Sequence, residues 1–276
     1  MATSGEPLEK KILDWLSEHG YPFEMRIASS LTASDFRVTQ SHYYTDFESG
    51  QPREIDVIGR LYSFVEPENY IAIAELETFV AVECKSSANP WVVFCETKSS
   101  AWDMQQVVCN GAGSELLRRN RSSISKTELY RYASKAGHGV AQVLGGNADV
   151  PYAAIMSALK AAEAHARDAR MAEVRMADGG RYSDICECSQ IIPAVAITAP
   201  LFECNLAEGG VPILREVDHS AVAFRYPNGS GESKKATMVN IVTERGWSKF
   251  QGAIISFHAA SQVQLRSMIP ACRDAD

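Results

Sequence analysis

The chain has no CxxC pair, no HxxxH spacing, no P-loop glycine run and no GxSxG elbow. These gaps exclude the common zinc-ribbon, zinc-protease, P-loop NTPase and α/β-hydrolase patterns. It also lacks a long apolar run. The longest, IIPAVAITAPLF at 191–202, contains two prolines, and a membrane-spanning helix needs about 20 apolar residues. The opening MATSGEPLEKK has no apolar signal core, so a cytoplasmic, soluble protein without a membrane partner is expected. There is no Lys/Arg-rich arm, internal repeat or low-complexity segment. The formal net charge is -7 and the pI is about 5.5. Nucleic acid could then be bound only through a local basic patch or through a metal ion.

Cysteine is present but poorly paired. The seven residues are Cys84, Cys95, Cys109, Cys186, Cys188, Cys204 and Cys272. The number is odd and several sit in apolar strand-like runs, which points to reduced thiols in a reducing compartment. Cys186-Glu-Cys188 is the one close pair, and its spacing does not suit zinc.

What is present suits one large α/β domain, residues 1–276, with 46% hydrophobic residues. LEKKILDWLSEH (8–19) reads as an amphipathic helix with Leu8, Ile12, Trp15 and Leu16 on one face, entered at Pro7 and ended at Gly20. FRVTQSHYYTDF (36–47) and REIDVIGRLYSF (53–64) read as a hairpin around ESGQP. The next strand is clearest from Thr78 to Ser86. WVVFCE (91–96) is a short strand or a loop anchor, residues 101–119 are helical, and 125–150 mix helix and loop. Pro151 opens an Ala-rich helix closed by Asp178-Gly179-Gly180. IIPAVAITAPLFECNL (191–206), VPILREVDHSAVAFRYP (211–227) and ATMVNIVTE (236–244) read as strands, and 248–265 as a last helix. The order predicts a mixed central sheet flanked by helices.

The chemistry is signalled by acids inside apolar runs. Asp56 interrupts IDVIG, with Ile55 and Val57 expected on the opposite face. Glu83 and Lys85 end FVAVECK, two apart and therefore on one face of the strand, with Cys84 turned away. If the two strands are neighbours, Asp56, Glu83 and Lys85 meet. Two adjacent carboxylates repel unless a cation separates them. Mg²⁺ suits such a site, since it takes hard oxygen ligands and keeps waters. The Cys84 backbone carbonyl is a further candidate ligand.

Asp56 and Glu83-Cys84-Lys85, following a helix and the Y-Y-x-D-x-x-S-G-x-x-R-E-I-D hairpin from Tyr43 to Asp56, resemble the PD-(D/E)XK nuclease superfamily. The resemblance covers roughly residues 5–95, plus a later helix and strand by order. Ile55 stands where that family usually has proline. The resemblance implies a restriction-endonuclease-like αβββαβ core, with a helical region at about 100–178 and added strands and a helix at 190–265. It implies phosphodiester hydrolysis, most often of DNA, with Mg²⁺, and with Mn²⁺ as a substitute. Metal would be held by Asp56, Glu83, the Cys84 carbonyl and an acid on the first helix, for which Glu9 is the match. Lys85 would act beside the metal. A homo-oligomer is compatible with this reading.

Two other readings stay open. The chain could be a nucleic-acid-binding or scaffold protein of the same fold without catalysis, or a nuclease effector switched on by a partner or signal. Residue by residue, Glu83 and Lys85 also suit a strand end entering solvent, Asp56 a surface pair with Arg53 or Arg60, and Glu9 a helix first turn. Glu54, Glu75 and Glu77 read as solvated. His42 reads as a structural histidine near Tyr43 and Tyr44. Arg118, Arg119 and Arg121 form the best basic cluster, Lys234-Lys235 the next.

Overall fold

The computed structural model describes residues 7–65, 73–95, 127–130, 136–145, 149–177, 185–226 and 235–268. Helix α1 spans Leu8–Glu18 and starts at Pro7, as expected, yet none of its residues is buried. Leu8, Ile12, Leu13 and Trp15 are exposed and only Leu16 is half-buried. Gly20, in the left-handed region at φ 82°, turns the chain into a second helix that the sequence reading did not anticipate. This helix, α2 (Tyr21–Thr32), buries Phe23, Ile27, Ala28 and Leu31. Pro22 sits in its first turn, where a missing N–H costs nothing.

Three antiparallel strands follow: β1 (Arg37–Thr45), β2 (Pro52–Val65) and β3 (Ile73–Lys85). The β1–β2 turn is built on Asp46. Its carbonyl accepts from Gly50 N–H at 2.7 Å, and its Oδ1 accepts from Glu48 N–H at 3.1 Å. Its fully buried carboxylate binds Arg53 at 2.6 Å and Lys160 at 2.8 Å. Helix α2 lies close against β2. A Cβ added at Gly59 would meet Phe36 Cδ1 at 3.1 Å and Leu31 Cδ1 at 3.2 Å.

The remaining elements are β4 (Trp91–Cys95), a short 3-10 turn (Glu128–Tyr130), β5 (Gly137–Gln142), α3 (Val150–Ala177), β6 (Ile185–Ile197), β7 (Leu201–Leu206), β8 (Pro212–Val217), β9 (His219–Tyr226), β10 (Lys235–Thr243) and α4 (Trp247–Met268). All the described strands form one mixed sheet, ordered β1-β2-β3-β6-β10-β9-β5-β4-β7-β8. Strand β6 is parallel to both β3 and β10, while β9 is antiparallel to β10. The protein is therefore α/β, with a mixed central sheet between helices, as expected.

Two local expectations need correction. Residues 125–150 were read as helix and loop, but 137–142 form β5, paired with β4. Residues 191–206 were read as one strand and are two. Pro200 breaks them, and its carbonyl accepts from Trp91 N–H at 2.9 Å. The 211–227 run holds β8 and β9, in keeping with its reading as strands. The helix expected at 101–119, with Arg118 and Arg119, lies outside the described residues, as do Arg121, Cys109, Lys234 and Cys272.

The core has two sides. Val57, Val80, Val82, Cys84, Ala194 and Ala196 pack with residues of α2 and α4. Ile55, Ile58, Phe79, Ala81 and Ile191 pack with Ala161 and Ala162 of α3. Helix α3 thus covers the face on which Glu83 and Lys85 stand. Among the described residues, no helix is long and apolar enough to cross a membrane. Cys84, Cys95 and Cys188 are buried free thiols, and Cys204 is a half-buried one.

Candidate active site

Strand β3 brings Glu83 and Lys85 to its last turn of pleat. Lys85 Nζ lies 2.6 Å from Glu83 Oε1, and Ser157 Oγ of α3 donates to Glu83 Oε2 at 2.6 Å. Glu83 is buried, with 8% of its surface exposed. Both of its oxygens are therefore engaged by protein donors.

Asp56 arrives from β2 through a break in regular pairing. The β1–β2 register passes from Gln40–Val57 to His42–Ile55 without a Ser41–Asp56 pair. Ser41 has φ 48°, uncommon for a residue other than glycine. The β2–β3 ladder ends at Val57–Val82. Side-chain alternation fails at the same point. Val57 packs on the α2/α4 side and Ile55 on the α3 side, so the expectation that they share a face is corrected. Asp56 is left without a ladder partner. Its Oδ2 instead accepts the backbone N–H of Cys84 at 2.7 Å.

The electrostatics follow from crowding. Burial pushes the Asp56 carboxyl up to about 7, and the negative charge of Glu83 adds to it, while the Cys84 N–H and Lys85 oppose. Burial also disfavours charge on Lys85, but Glu83 and Asp56 more than compensate and raise it. Glu24 of α2 belongs to the same neighbourhood. Burial raises its carboxyl, Lys85 opposes, and Glu83 and Glu54 raise it further. Three carboxylates thus share one ammonium. A proton on Asp56 relieves the excess, and a cation would do the same.

Among the described residues, no group of three or more His, Cys, Asp or Glu side chains is placed to hold a metal ion. Asp56 and Glu83 nevertheless supply two hard oxygen donors in a place short of positive charge. That matches Mg²⁺, which is commonly held by one or two carboxylates and keeps its own waters.

The other expected site residues fare differently. Cys84 contributes its N–H. Its thiol is buried, and burial followed by the nearby Asp56 raises it well above the usual range. Glu9 is exposed in the first turn of α1, and no contact described for Asp56, Glu83 or Lys85 involves it. The helix acid that reaches the cluster is Glu24. The sequence held one signal for it, an acid beside the Phe23–Ile27–Leu31 stripe. Ser157 had no signal in an Ala-rich helix. Glu77 was read as solvated, but it accepts from Tyr62 Oη at 2.9 Å and meets His165 Nε2 at 2.7 Å.

No family model, curated protein or solved structure matches the chain. The fold and the cluster therefore define it only as a mixed α/β protein with a buried acid–lysine site.

Proposed function

We propose that the protein is a metal-dependent nuclease of the restriction-endonuclease-like class, hydrolysing phosphodiester bonds, with DNA as the favoured substrate. One observation carries this reading. Asp56 and Glu83 converge beside Lys85 in a site where burial and mutual repulsion hold Asp56 up to about 7, a pattern found where function demands it more often than elsewhere. The element order supports it: two helices, the β1–β2–β3 meander, an insertion carrying β4 and β5, the α3 crossover, then β6 parallel to β3.

In this reading Asp56, Glu83 and the Cys84 carbonyl would hold Mg²⁺, or Mn²⁺ in its place. The bound ion would acidify a water and polarise a phosphoryl oxygen. The protein's own groups do the rest. Asp56 must release its proton, and the Cys84 N–H keeps the resulting carboxylate aimed. Ser157 fixes Glu83 through Oε2. Lys85 leaves Glu83 Oε1 and donates a hydrogen bond to the phosphate or to the attacking water. Glu24 adds negative charge at the helix side, where the resemblance implies Glu9 as a metal ligand.

A second reading, a binding or scaffold protein without catalysis, is favoured by the engagement of both Glu83 oxygens by Lys85 and Ser157. Incubation with plasmid DNA, single-stranded DNA and RNA, in Mg²⁺ or Mn²⁺ against EDTA, separates the two. Metal-dependent cleavage abolished in Asp56→Asn supports the nuclease. Binding without cleavage, unchanged in Asp56→Asn, supports the scaffold.

A further inference from the structure

A cavity of about 540 Å³ opens between β1 and α3. Its size falls within the range of about 300–1,000 Å³ typical of sites for small organic ligands. Short side chains of α3, Ala161 and Ala164, leave the depth. Four basic side chains line it: His42, Arg60, His165 and Arg167. Asp168, exposed at the rim, is the one acid among its lining residues.

Part of this positive charge is already balanced. Glu77, outside the cavity wall, contacts His165 at 2.7 Å and Arg60 at 3.5 Å. The remainder is not. Arg167 meets Glu163 only at 3.8 Å, and the His42 ring has no hydrogen-bond partner among the described residues. Arg60 Nε, buried, has its 3.5 Å ion pair with Glu77 but no hydrogen bond. Burial disfavours charge on the His42 imidazole, and the charges of Arg60 and His165 disfavour it further, so His42 offers the space a ring N–H and Arg167 the weakly matched charge. An anion is what this space lacks.

The aromatic groups specify the rest of the ligand. Phe79 is already covered, with His165 stacked on it at 3.8 Å and 8°. Tyr43, 64% exposed, remains at the cavity, while Phe47 has one face covered by Arg167. The Arg167 guanidinium lies 3.7 Å from the Phe47 ring centroid, giving a flat, cationic platform. Bases stack on such surfaces regardless of sequence.

We propose that this cavity binds a nucleoside phosphate, with the phosphate among His42, Arg60 and Arg167 and the base on the Phe47–Tyr43 side. The ligand has two sources: a free nucleotide, or an unpaired nucleotide of a strand leading to the carboxylates. The second source rests on the nuclease reading, and geometry connects the places. Tyr44 lines the cavity and its hydroxyl contacts the Ser157 carbonyl at 3.4 Å, while Ser157 Oγ holds Glu83.

The test is calorimetric titration of the Asp56→Asn protein in EDTA, where cleavage plays no part. The probes are adenosine 5′-monophosphate, adenosine, and a 5′-phosphorylated hexadeoxynucleotide. The monophosphate is expected to bind and adenosine not. His42→Gln and Arg167→Gln should each weaken the monophosphate about tenfold, the scale of one hydrogen bond to a charged group. Ala164→Leu should block it by filling the cavity without changing charge. A hexanucleotide that competes with the monophosphate assigns the site to a strand, and one that does not assigns it to a free nucleotide. Absence of binding by both phosphates, or binding unchanged in all three folded variants, overturns the proposal. Absence of cleavage by the wild-type protein in Mg²⁺ would sink the nuclease reading and leave this result standing.

Discussion

The Cys84 N–H donates to Asp56 Oδ2 at 2.7 Å, just beyond the point where the β2–β3 ladder stops at Val57–Val82. A side chain has replaced a backbone carbonyl as the partner of a strand N–H. The bond ties a buried acid to the strand carrying Glu83 and Lys85, so the spacing of the cluster is set by the backbone.

This burial has a pH signature, and His258 supplies its opposite. Folded Asp56 keeps its proton up to about 7, whereas an unfolded aspartate loses it near 3.9. Between those values the folded state binds more protons, so stability falls as pH rises. His258 contacts Thr78 Oγ1 at 2.7 Å and Ser63 Oγ at 2.8 Å, and burial lowers its imidazole to about 4. An unfolded histidine titrates near 6.5, so between these values the folded state binds fewer protons and stability falls as pH drops. Each effect is at most about 3–4 kcal/mol. In thermal unfolding with EDTA, Asp56→Asn should gain on wild type as pH rises from about 4 to 7. His258→Gln should gain on wild type as pH drops from about 6.5 to 4. Three parallel Tm profiles would contradict both assignments.

Lys85 should matter for chemistry more than for metal binding. Its ammonium has no lone pair to offer an ion, and it occupies Glu83 Oε1 at 2.6 Å. Lys85→Ala should hold metal as well as wild type or slightly better, measured by Mg²⁺ titration. Cleavage should fall by about 10²–10⁴-fold, the range for a positioned acid–base group. Lys85→Arg should rescue poorly, because a guanidinium is planar and does not deprotonate. Wild-type cleavage by a folded Lys85→Ala protein would make Lys85 an ordinary strand-end lysine.

Glu24 and Glu9 give a paired comparison. Glu24→Gln removes a charge that acts on Asp56 and Lys85, and cleavage should change by about tenfold, the scale of one charge interaction in a partly buried site. Glu9→Gln, on an exposed helix, should leave the rate within about twofold, as for a surface residue without a partner in the site. The reverse ranking in a single-turnover assay would return the helix acid to α1.

Asp46 is predicted to be structural. Its carboxyl is held well below the usual range: burial opposes its charge, but Lys160, the Glu48 N–H and Arg53 together outweigh burial. Asp46→Ala would take from Lys160, in a largely buried position, its 2.8 Å carboxylate partner and keep Glu48 at 2.9 Å. It should cost about 3 kcal/mol in denaturant unfolding, since removing one partner of a buried ion pair leaves the other charge less compensated. A loss below about 0.5 kcal/mol, typical of a surface change, would show that Glu48 suffices.

Much of this molecule was legible in its sequence, for local reasons. Strand periodicity placed β1, β2 and β3, Pro151 and the alanines placed α3, and the two-residue spacing put Glu83 and Lys85 on one face. The acids in apolar runs marked Asp56 and Glu83 before any contact was known. Tertiary structure decided the rest. Whether an apolar helix face is buried depends on a partner surface, which α1 lacks and α2 finds at Gly59. The missing Ser41–Asp56 pair and the positive φ of Ser41 concern two strands at once, so alternation along one strand could not foresee them. Ser157, Glu24 and the His42–Arg167 cavity lie far from the motif along the chain. Only the packing of α2 and α3 on opposite faces of the sheet brings them near β1, β2 and β3, because charge and packing act through space and periodicity acts along the chain.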